Sequence, residues 1–522
     1  MIITGDALIG GKAVTGTGAG VRAFNPALGQ VIEPEFRTVD AAQIDQACRL
    51  ADEAFDTFRS LSDEKRAAFL DTIADQIMAL GDVLVERVME ETSLPRARVE
   101  GERGRTVGQL KLFANLLREG SWHDVRFDKA LPDRTPPRPD LRMRMIGLGP
   151  VAVFAASNFP LAFSVAGGDT ASALAAGCPV VLKAHFAHPG TSELVGRAVV
   201  RAVEICGLPA GVFSLLTGVG NELGIELVRH PAIKAVGFTG SRGGGMALMA
   251  AAAARPVPIP VYAEMSSINP VFLLPNALKN RAEEIAAGFA ASLTLGVGQM
   301  CTNPGLVLAI NGPDLERFTS AASQALAGGS ACSMLSPGIA GNFARGVNQL
   351  AGHADVKTLA LAPQAEGKGA PALFVSSASA FLSQHTLQEE IFGPASLVIS
   401  CKDVAELRLV TEKLEGQLTA TLQMDEGDLE AAQSLLPVLE RKVGRILANG
   451  YPTGVEVCSA MVHGGPFPST SDGRSTSVGT GAITRFLRPV CYQNLSQALL
   501  PEVLQDNGSA TWLRREGELT RN

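Results

Sequence analysis

The feature that most constrains the fold is a series of short apolar runs that alternate with helical segments between Gly149 and Phe238. The runs are 149–157, 179–182, 212–216 and 235–238. Short apolar runs bounded by Gly, Pro or polar residues are typical of buried parallel strands. The helical segments between them are 168–177, 192–206 and 222–229. The alternation predicts βα units, and therefore a parallel sheet with crossover helices.

The rest of the chain has four other patterns. Residues 40–118 read mostly as helix, with Asp40 and Ser62 at positions typical of N-caps. A helix is also predicted at 281–291, and the later predicted strands are centred on 372–375, 396–399 and 445–448. Residues 126–145 are rich in Pro, Arg and Asp, which indicates an exposed loop or an extended arm. The polar tail after Leu500 is expected to be frayed or extended.

The composition favours a large cytoplasmic protein. The 522 residues are 46% hydrophobic, enough to bury a large core, and the length is typical of about three domains. The net charge of −7 argues against a nucleic-acid surface, and no apolar run reaches the roughly 18 residues of a membrane span. No signal peptide is read at the start of the chain. The eight cysteines are scattered, which argues against a disulfide framework or a metal site.

A glycine-rich turn follows the predicted strand 235–238. Residues 237–245 read GFTGSRGGG, so a strand ends and a helix begins within a few residues. The free N–H groups at a helix N-terminus favour an anion such as a nucleotide pyrophosphate. The spacing matches neither GxGxxG nor GK[ST], so a flexible loop stays open as the alternative. Lys183, at another predicted strand end, is a candidate for phosphate or ribose contacts or a solvated side chain.

Cys301 has a different sequence environment from the other cysteines. It lies in GVGQMCTNPG at 296–305, where a tight turn with exposed N–H groups would lower the thiol pKa for nucleophilic attack. Glu264 lies between apolar and small residues, where desolvation would raise its pKa toward the range of a general base. Asn158, at a strand end, can donate its side-chain N–H to an oxyanion. Taken alone, each residue also fits an ordinary structural role.

A set of motifs in a fixed order resembles the aldehyde dehydrogenase superfamily over residues 24–490. The motifs are SNFP at 157–160, Lys183, GFTGS at 237–241, Glu264 with NP at 269–270, GQMCTNPG at 298–305 and EEIFGP at 389–394. Longer segments, including 449–480, look like the 2,5-dioxovalerate (α-ketoglutaric semialdehyde) dehydrogenase branch. That branch also contains relatives that act on long-chain aldehydes.

The resemblance implies a mechanism through a covalent thioester. Cys301 as thiolate attacks the aldehyde carbon, and the Asn158 amide with the Cys301 backbone N–H holds the oxyanion. Hydride passes to a nicotinamide, and Glu264 activates the water that hydrolyses the thioester. The implied cofactor-binding residues are Lys183 at the adenosine ribose, Gly240, Ser241 and Gly245 at the pyrophosphate, and Glu390 and Phe392 at the nicotinamide ribose and ring.

Two departures from the family pattern affect these expectations. Many members have Leu-Gly-Gly after the general base, whereas Met265-Ser266-Ser267 follows Glu264 here. NAD-preferring members often carry a Glu three residues after the strand-end Lys, where this chain has Phe186. Because Phe186 has no carboxylate to repel the 2′-phosphate of NADP, NADP is the expected cofactor, with NAD as the alternative. His185, Lys183 and Arg242 are candidates for compensating contacts.

Three residues are weaker candidates for substrate contacts. Phe159 would line the aldehyde tunnel, or else belong to the core. His463 would act as a second base or a substrate contact, or else as a structural loop histidine. Arg474 would meet a substrate carboxylate, or else stabilise a turn in solvent.

The resemblance also implies the fold and the assembly. The expected fold class is α/β, with a Rossmann-type cofactor domain, an α/β catalytic domain and a small β oligomerisation element. The predicted boundaries are 1–125 and 147–265 for the dinucleotide-binding domain, 266–483 for the catalytic domain, and 126–146 with 484–500 for the oligomerisation element. A homodimer, or a homotetramer built from two dimers, is expected.

The leading hypothesis is NAD(P)-dependent oxidation of 2,5-dioxopentanoate to 2-oxoglutarate. A broad-range or long-chain fatty aldehyde dehydrogenase is the main alternative. An enzyme that transfers the acyl group to coenzyme A is disfavoured, because acylating relatives usually lack the general-base Glu. A non-catalytic nucleotide-binding protein on the same scaffold would need a broken site, and Cys301 and Asn158 are both present.

Overall fold

The structure is a computed structural model and describes residues 2–521. Its first two helices begin at the predicted caps, because the Asp40 side chain accepts from the Gln43 backbone N–H and Ser62 does the same for Lys65. The α-helices are Ala41–Arg59, Asp63–Ala79, Gly81–Thr92, Arg96–Glu119, Gly168–Ala175, Pro189–Ile205, Asn221–Arg229, Arg242–Ala253, Pro275–Thr294, Pro313–Ala327, Pro337–Ala351, Ala378–Ser383, Val404–Lys413 and Leu429–Lys442.

The first sheet contains the predicted βα units. Its seven strands lie in the spatial order Val261–Glu264, Ala235–Thr239, Val151–Phe154, Val180–Lys183, Phe213–Leu216, Ala7–Ile9 and Lys12–Val14. The first five strands are parallel, and the last two form an antiparallel hairpin at the edge. Alternate residues face opposite sides, so Val151 and Val153 pack in one core cluster and Ala152 and Phe154 in another. Helices therefore cover both faces, as the continuous apolar runs predict.

The second sheet is built in the same way. Its strands lie in the order Lys357–Leu361, Ala372–Ser377, Ala395–Cys401, Leu306–Ile310, Pro270–Leu273, Gln417–Gln423 and Val443–Ala448. All neighbours are parallel except the first pair. Its strands come from 270–448 and those of the first sheet from 7–264. The domain boundaries given above remain a prediction.

A third, five-stranded sheet corrects the expectation for the tail. Its strands lie in the order Leu487–Gln493, Leu141–Gly147, Val125–Asp128, Trp512–Arg515 and Glu518–Arg521. The tail is extended but not frayed, because Trp512–Arg515 pairs in parallel with Val125–Asp128 and buries Leu513. The Pro/Arg-rich arm contributes two of these strands. The remaining strands, outside the three sheets, are Gly20–Asn25 paired with Gln30–Arg37, and Cys332–Ser333 paired with Lys368–Gly369.

The two large sheets meet at their ends, and this junction positions the site. In the parallel register of the first sheet, Lys183, Thr239 and Glu264 all end their strands at the carboxyl edge. Cys301 and Phe392 instead precede strands of the second sheet, at its amino edge. Ligands of open α/β sheets bind at carboxyl edges, so the junction is the expected place for a site. Within residues 2–521, no helix is long and apolar enough to cross a bilayer.

Candidate active site

The Cys301 turn is a tight and unusual piece of backbone. Gly296, Val297 and Gly298 all have positive φ angles, of 61°, 59° and 63°. A Cβ on Gly298 would lie 2.4 Å from the carbonyl carbon of Gly393, so only glycine fits there. The turn thus packs directly against the EEIFGP segment, so the backbones of the GQMCTNPG and EEIFGP motifs are in contact.

Asn269 anchors the same turn from the second sheet. Its side-chain amide donates to the carbonyl oxygens of Cys301 at 2.8 Å and Asn303 at 2.9 Å. Asn303 in turn donates to the carbonyl of Gly393 at 3.0 Å. The Asn269 side chain is fully buried, and its backbone φ is +46°. Asn269 belongs to the NP motif at 269–270, and the sequence assigned it no role. The structure shows that its side-chain amide holds the backbone carbonyl groups of Cys301 and Asn303 in place.

Cys301, Glu264 and His463 form one compact cluster. The His463 Nε2 lies 3.0 Å from Glu264 Oε1 and 3.5 Å from the Cys301 Sγ. Ser477 Oγ donates to the other Glu264 oxygen at 3.1 Å. The three ligand-type atoms lie within 4.8 Å of one another, a spacing at which protons can pass between them. His463, a weak candidate from the sequence, therefore lies at the centre of the cluster.

The protonation states differ from the sequence expectation at two residues. Burial alone would raise the pKa of Glu264, but His463 and hydrogen bonds to the carboxylate bring that pKa below its ordinary value. Burial and the neighbouring Glu264 carboxylate raise the pKa of the Cys301 thiol well above its ordinary value. The expected raised carboxyl pKa and lowered thiol pKa are both wrong. The resting pair is a thiol beside a carboxylate, which is a base placed to accept the thiol proton.

Asn158 lies beside this cluster. Its Nδ2 donates to the carbonyl of Gln299 at 3.1 Å, two residues before Cys301. The Gln299 side chain is itself held, since its Nε2 donates to the Gly296 carbonyl and its Oε1 accepts from the Leu335 backbone N–H. The amide of Asn158 therefore points at the Cys301 turn from the end of a strand of the first sheet.

The glycine-rich turn has the strand–turn–helix form predicted for it. Ser241 caps the helix Arg242–Ala253, and its side chain accepts from the Gly244 backbone N–H at 3.2 Å. Added Cβ atoms would lie 2.7 Å from Phe238 at Gly240 and 2.6 Å from Met265 at Gly245. Gly240 and Gly245 thus permit close packing behind the turn, and the helix N-terminus stays the predicted place for an anion.

The structure shows the surroundings of Lys183, Phe186 and Arg242, the residues expected near the adenosine ribose of a cofactor. The Lys183 ammonium is largely buried, which lowers its pKa, and it donates to the Ala184 carbonyl at 3.3 Å. Phe186 is 48% exposed and stacks on His185 at a ring distance of 4.6 Å. Arg242 forms a two-point ion pair with Glu415, at 2.8 and 3.2 Å. Arg242 therefore already has a carboxylate partner, and its contact with a 2′-phosphate stays a prediction.

Glu390 and Phe392 line a cavity together with residues of the Cys301 turn, among them Gly298 and Met300. Burial raises the pKa of Glu390 to about 8. A buried carboxyl group of this kind is a ready hydrogen-bonding partner for hydroxyl groups. Glu390 and Phe392 stay the predicted residues for the nicotinamide end of a cofactor.

A second cavity, of about 380 Å³, reaches Cys301 from the opposite side. Phe159 and Phe163 form part of its wall, packed edge to face at 5.2 Å, and His463 lies at its inner end. Arg474 does not line this cavity. Its side chain is 90% exposed and pairs with Asp472 at 2.9 Å, so the sequence expectation of a substrate contact is corrected. The cationic residues that do line it are Arg98 and Arg105, which sequence reasoning missed.

Comparisons with known proteins agree with this arrangement. The model of the aldehyde dehydrogenase family matches residues 14–485. Alpha-ketoglutaric semialdehyde dehydrogenase 2 of Azospirillum brasilense is 60% identical over 511 residues, which are 97% of each chain. Alpha-ketoglutaric semialdehyde dehydrogenase of Acinetobacter baylyi is 49% identical over 524 residues, 99% of each chain.

Solved structures with the same fold are more distant in sequence. Aldehyde dehydrogenase C of Pseudomonas syringae, complexed with NAD⁺ and octanal, is 22% identical with a TM-score of 0.80, over 95% of this chain and 98% of that one. Lactaldehyde dehydrogenase of Escherichia coli is 21% identical with a TM-score of 0.82, over 94% and 99%. These likenesses confirm the expected α/β fold. With a family match over most of its length and two full-length relatives, the chain belongs to the aldehyde dehydrogenase family.

Proposed function

We propose that this enzyme oxidises 2,5-dioxopentanoate to 2-oxoglutarate through a thioester on Cys301. The observation that carries the proposal is the cluster of Cys301, Glu264 and His463 at the inner end of a cavity. A thiol, a carboxylate base and an adjacent imidazole are the groups that covalent acyl chemistry requires. The names of the relatives at 60% and 49% identity support the substrate.

The first step activates the nucleophile. Because the Cys301 thiol has a raised pKa, it needs a base, and Glu264 is hydrogen-bonded to it and ionised. As the thiol proton moves to the carboxylate, the sulfur attacks the aldehyde carbon and the carbonyl oxygen becomes an oxyanion. The Asn158 amide and the Cys301 backbone N–H stabilise that oxyanion, and such a donor is typically worth about 10²–10³ in rate.

The residues of the junction fit a nicotinamide dinucleotide. The buried Lys183 ammonium suits a ribose, the N-terminus capped by Ser241 suits the pyrophosphate, and Glu390 suits the nicotinamide ribose. When bound, NAD(P) supplies the hydride acceptor that leaves the acyl group on Cys301 as a thioester. NADP is the proposed preference, because Phe186 presents no carboxylate to a 2′-phosphate.

The last step hydrolyses the thioester. Glu264, once it has released the thiol proton to solvent, is again a carboxylate next to the sulfur. It can take a proton from a water molecule whose oxygen attacks the acyl carbon, and the C–S bond then breaks to release the carboxylate product and the Cys301 thiolate. His463 and Ser477 hold both carboxylate oxygens, so the base keeps its orientation through both steps. His463 acts here as a positioning residue for Glu264. The proposed setting is a cytoplasmic homodimer or homotetramer.

Steady-state kinetics with NAD and NADP against a panel of aldehydes tests the proposal. We expect 2,5-dioxopentanoate with NADP to give the highest kcat/KM and the variant Cys301→Ala to lose oxidation while still binding cofactor. A preference for long aliphatic aldehydes would refute the substrate. Turnover by Cys301→Ala would refute the nucleophile.

A further inference from the structure

The cavity that leads to Cys301 carries positive charge from the helix Arg96–Glu119. Arg98 and Arg105 lie seven residues apart on that helix, so they share a face, and Glu102 lies between them. All three line the cavity together with Phe159 and Cys301. The rest of the wall is largely apolar and would accept the carbon chain of any aldehyde, so the arginines are the groups that would favour an anionic one.

The two arginines have different partners. Arg98 pairs with Glu102 at 2.7 Å. The other Glu102 oxygen accepts from the backbone N–H groups of Leu161 and Ala162, each at 2.9 Å. Glu102 is therefore fully used in neutralising Arg98 and in holding the loop that follows Asn158. Neither of the two buried donors of Arg105 is hydrogen-bonded to Glu102.

Arg105 has unused donors. Its Nε and Nη2 atoms are buried and have no hydrogen-bond partner within residues 2–521, and burial lowers the pKa of its guanidinium. Buried guanidinium groups are normally paired, because an unpaired buried charge is costly. The ring centroids of Phe159 and Phe163 lie 5.8 and 5.3 Å from its Cζ atom, and the rings hold the group in place from one side. The missing partner is an anion that enters the cavity.

We propose that Arg105 binds the carboxylate of the substrate and thereby selects anionic semialdehydes over neutral aldehydes. The assignment rests on the proposed function, in which the aldehyde carbon lies at the Cys301 sulfur and the carboxylate is the far end of the same small molecule. Two parallel N–H donors of a guanidinium match a carboxylate in a two-point contact. Arg98, kept in place by Glu102, supports the positive potential without being the direct ligand.

The test compares Arg105→Met with the wild-type enzyme on matched pairs of aldehydes. The pairs are 2,5-dioxopentanoate with pentanal and 4-oxobutanoate with butanal. Because the Arg105 charge also favours the Cys301 thiolate, any loss through the thiol affects both members of a pair. The readout is therefore the ratio of kcat/KM for the anionic and the neutral aldehyde. We expect that ratio to fall about 10- to 150-fold.

Two further variants control for structure. Arg103→Met, on the same helix but bonded to the Gly81 carbonyl outside the cavity, should leave the ratio unchanged. Arg105→Lys keeps the charge and should recover part of the ratio. A ratio that is unchanged in Arg105→Met, or that falls equally in Arg103→Met, overturns the proposal. If the wild-type enzyme prefers another anionic semialdehyde and the ratio still falls, the substrate named under the proposed function is wrong and the Arg105 assignment stands.

Discussion

At the residue scale, the chemistry depends on how Cys301, Glu264 and His463 divide their protons. From the sequence, the pKa of the thiol and the pKa of the carboxyl group were each predicted from the residues next to that group in the chain. In the fold the thiol is buried and hydrogen-bonded to the carboxylate, so burial first and the carboxylate second disfavour the thiolate and raise the thiol pKa. His463 lies 199 residues from Glu264 in the chain, so its effect on the carboxylate could not be read from local pattern.

This arrangement predicts the pH dependence of a His463 variant. Glu264 must be ionised to act as a base, so activity is present above its pKa and is lost as the pH falls through it. His463 helps to hold that pKa low, and without it the burial of the carboxyl group raises the pKa. In His463→Ala the acid limb of kcat/KM should therefore move to higher pH.

The matched control is Arg474→Gln, since that side chain is exposed and outside the cavity. Its pH profile should overlie that of the wild-type enzyme. An unchanged acid limb in His463→Ala would show that the imidazole does not act on Glu264.

At the scale of elements, the Cys301 turn and the EEIFGP segment depend on one close approach. Both motifs were recognised from the sequence, but their contact was not, because 88 residues separate Cys301 from Glu389. Residues 40–118 were likewise predicted to be mostly helical, yet Arg98 and Arg105 within them were given no role. The only available signal was two arginines seven residues apart on a helix, with a glutamate between them. Local sequence does not show whether such a helix face lines a cavity or faces solvent.

The close approach can be tested with two glycines of the same turn. Gly298→Ala adds a Cβ within 2.4 Å of Gly393, whereas Gly296→Ala, with nearly the same φ, meets only the flexible end of Met300 at 3.4 Å. Each variant carries a left-handed strain of about 1–2 kcal/mol. Gly298→Ala should lower the melting temperature further than Gly296→Ala and weaken cofactor binding as measured by titration. Equal effects of the two variants would contradict a functional contact between the motifs.

At the scale of the whole molecule, the alternating pattern was enough to predict parallel sheets covered by helices, and both large sheets have that form. The third sheet was only partly predictable. Val125–Asp128 and Trp512–Arg515 pair in parallel although 384 residues separate Asp128 from Trp512, and no local signal marks such a partner. From its composition alone, a polar tail is predicted to be frayed or extended, because the strand with which it pairs is distant in the chain.

The third sheet also bears on assembly. Its outer strand Leu487–Gln493 leaves one edge unpaired within the described chain, and Glu518–Arg521 at the other edge is exposed throughout. Exposed edges of this kind are places where a second chain can add. Light scattering on a sizing column should give two or four times the 54.4 kDa subunit mass. A single-subunit mass at micromolar concentration would contradict the proposed homodimer or homotetramer.

The most direct test of the central claim is to trap the acyl group on Cys301. In Glu264→Gln the hydrolytic base is absent, and loss of its negative charge removes one of the causes that raise the pKa of the buried Cys301 thiol, so the thiolate can still form slowly by losing its proton to solvent. Mixing this variant with 2,5-dioxopentanoate and NADP should give about one reduced cofactor per subunit, and peptide mass spectrometry should find the acyl group on Cys301. The double variant with Cys301→Ala should show neither. An acyl group on another cysteine, or continued turnover without any adduct, would contradict the mechanism.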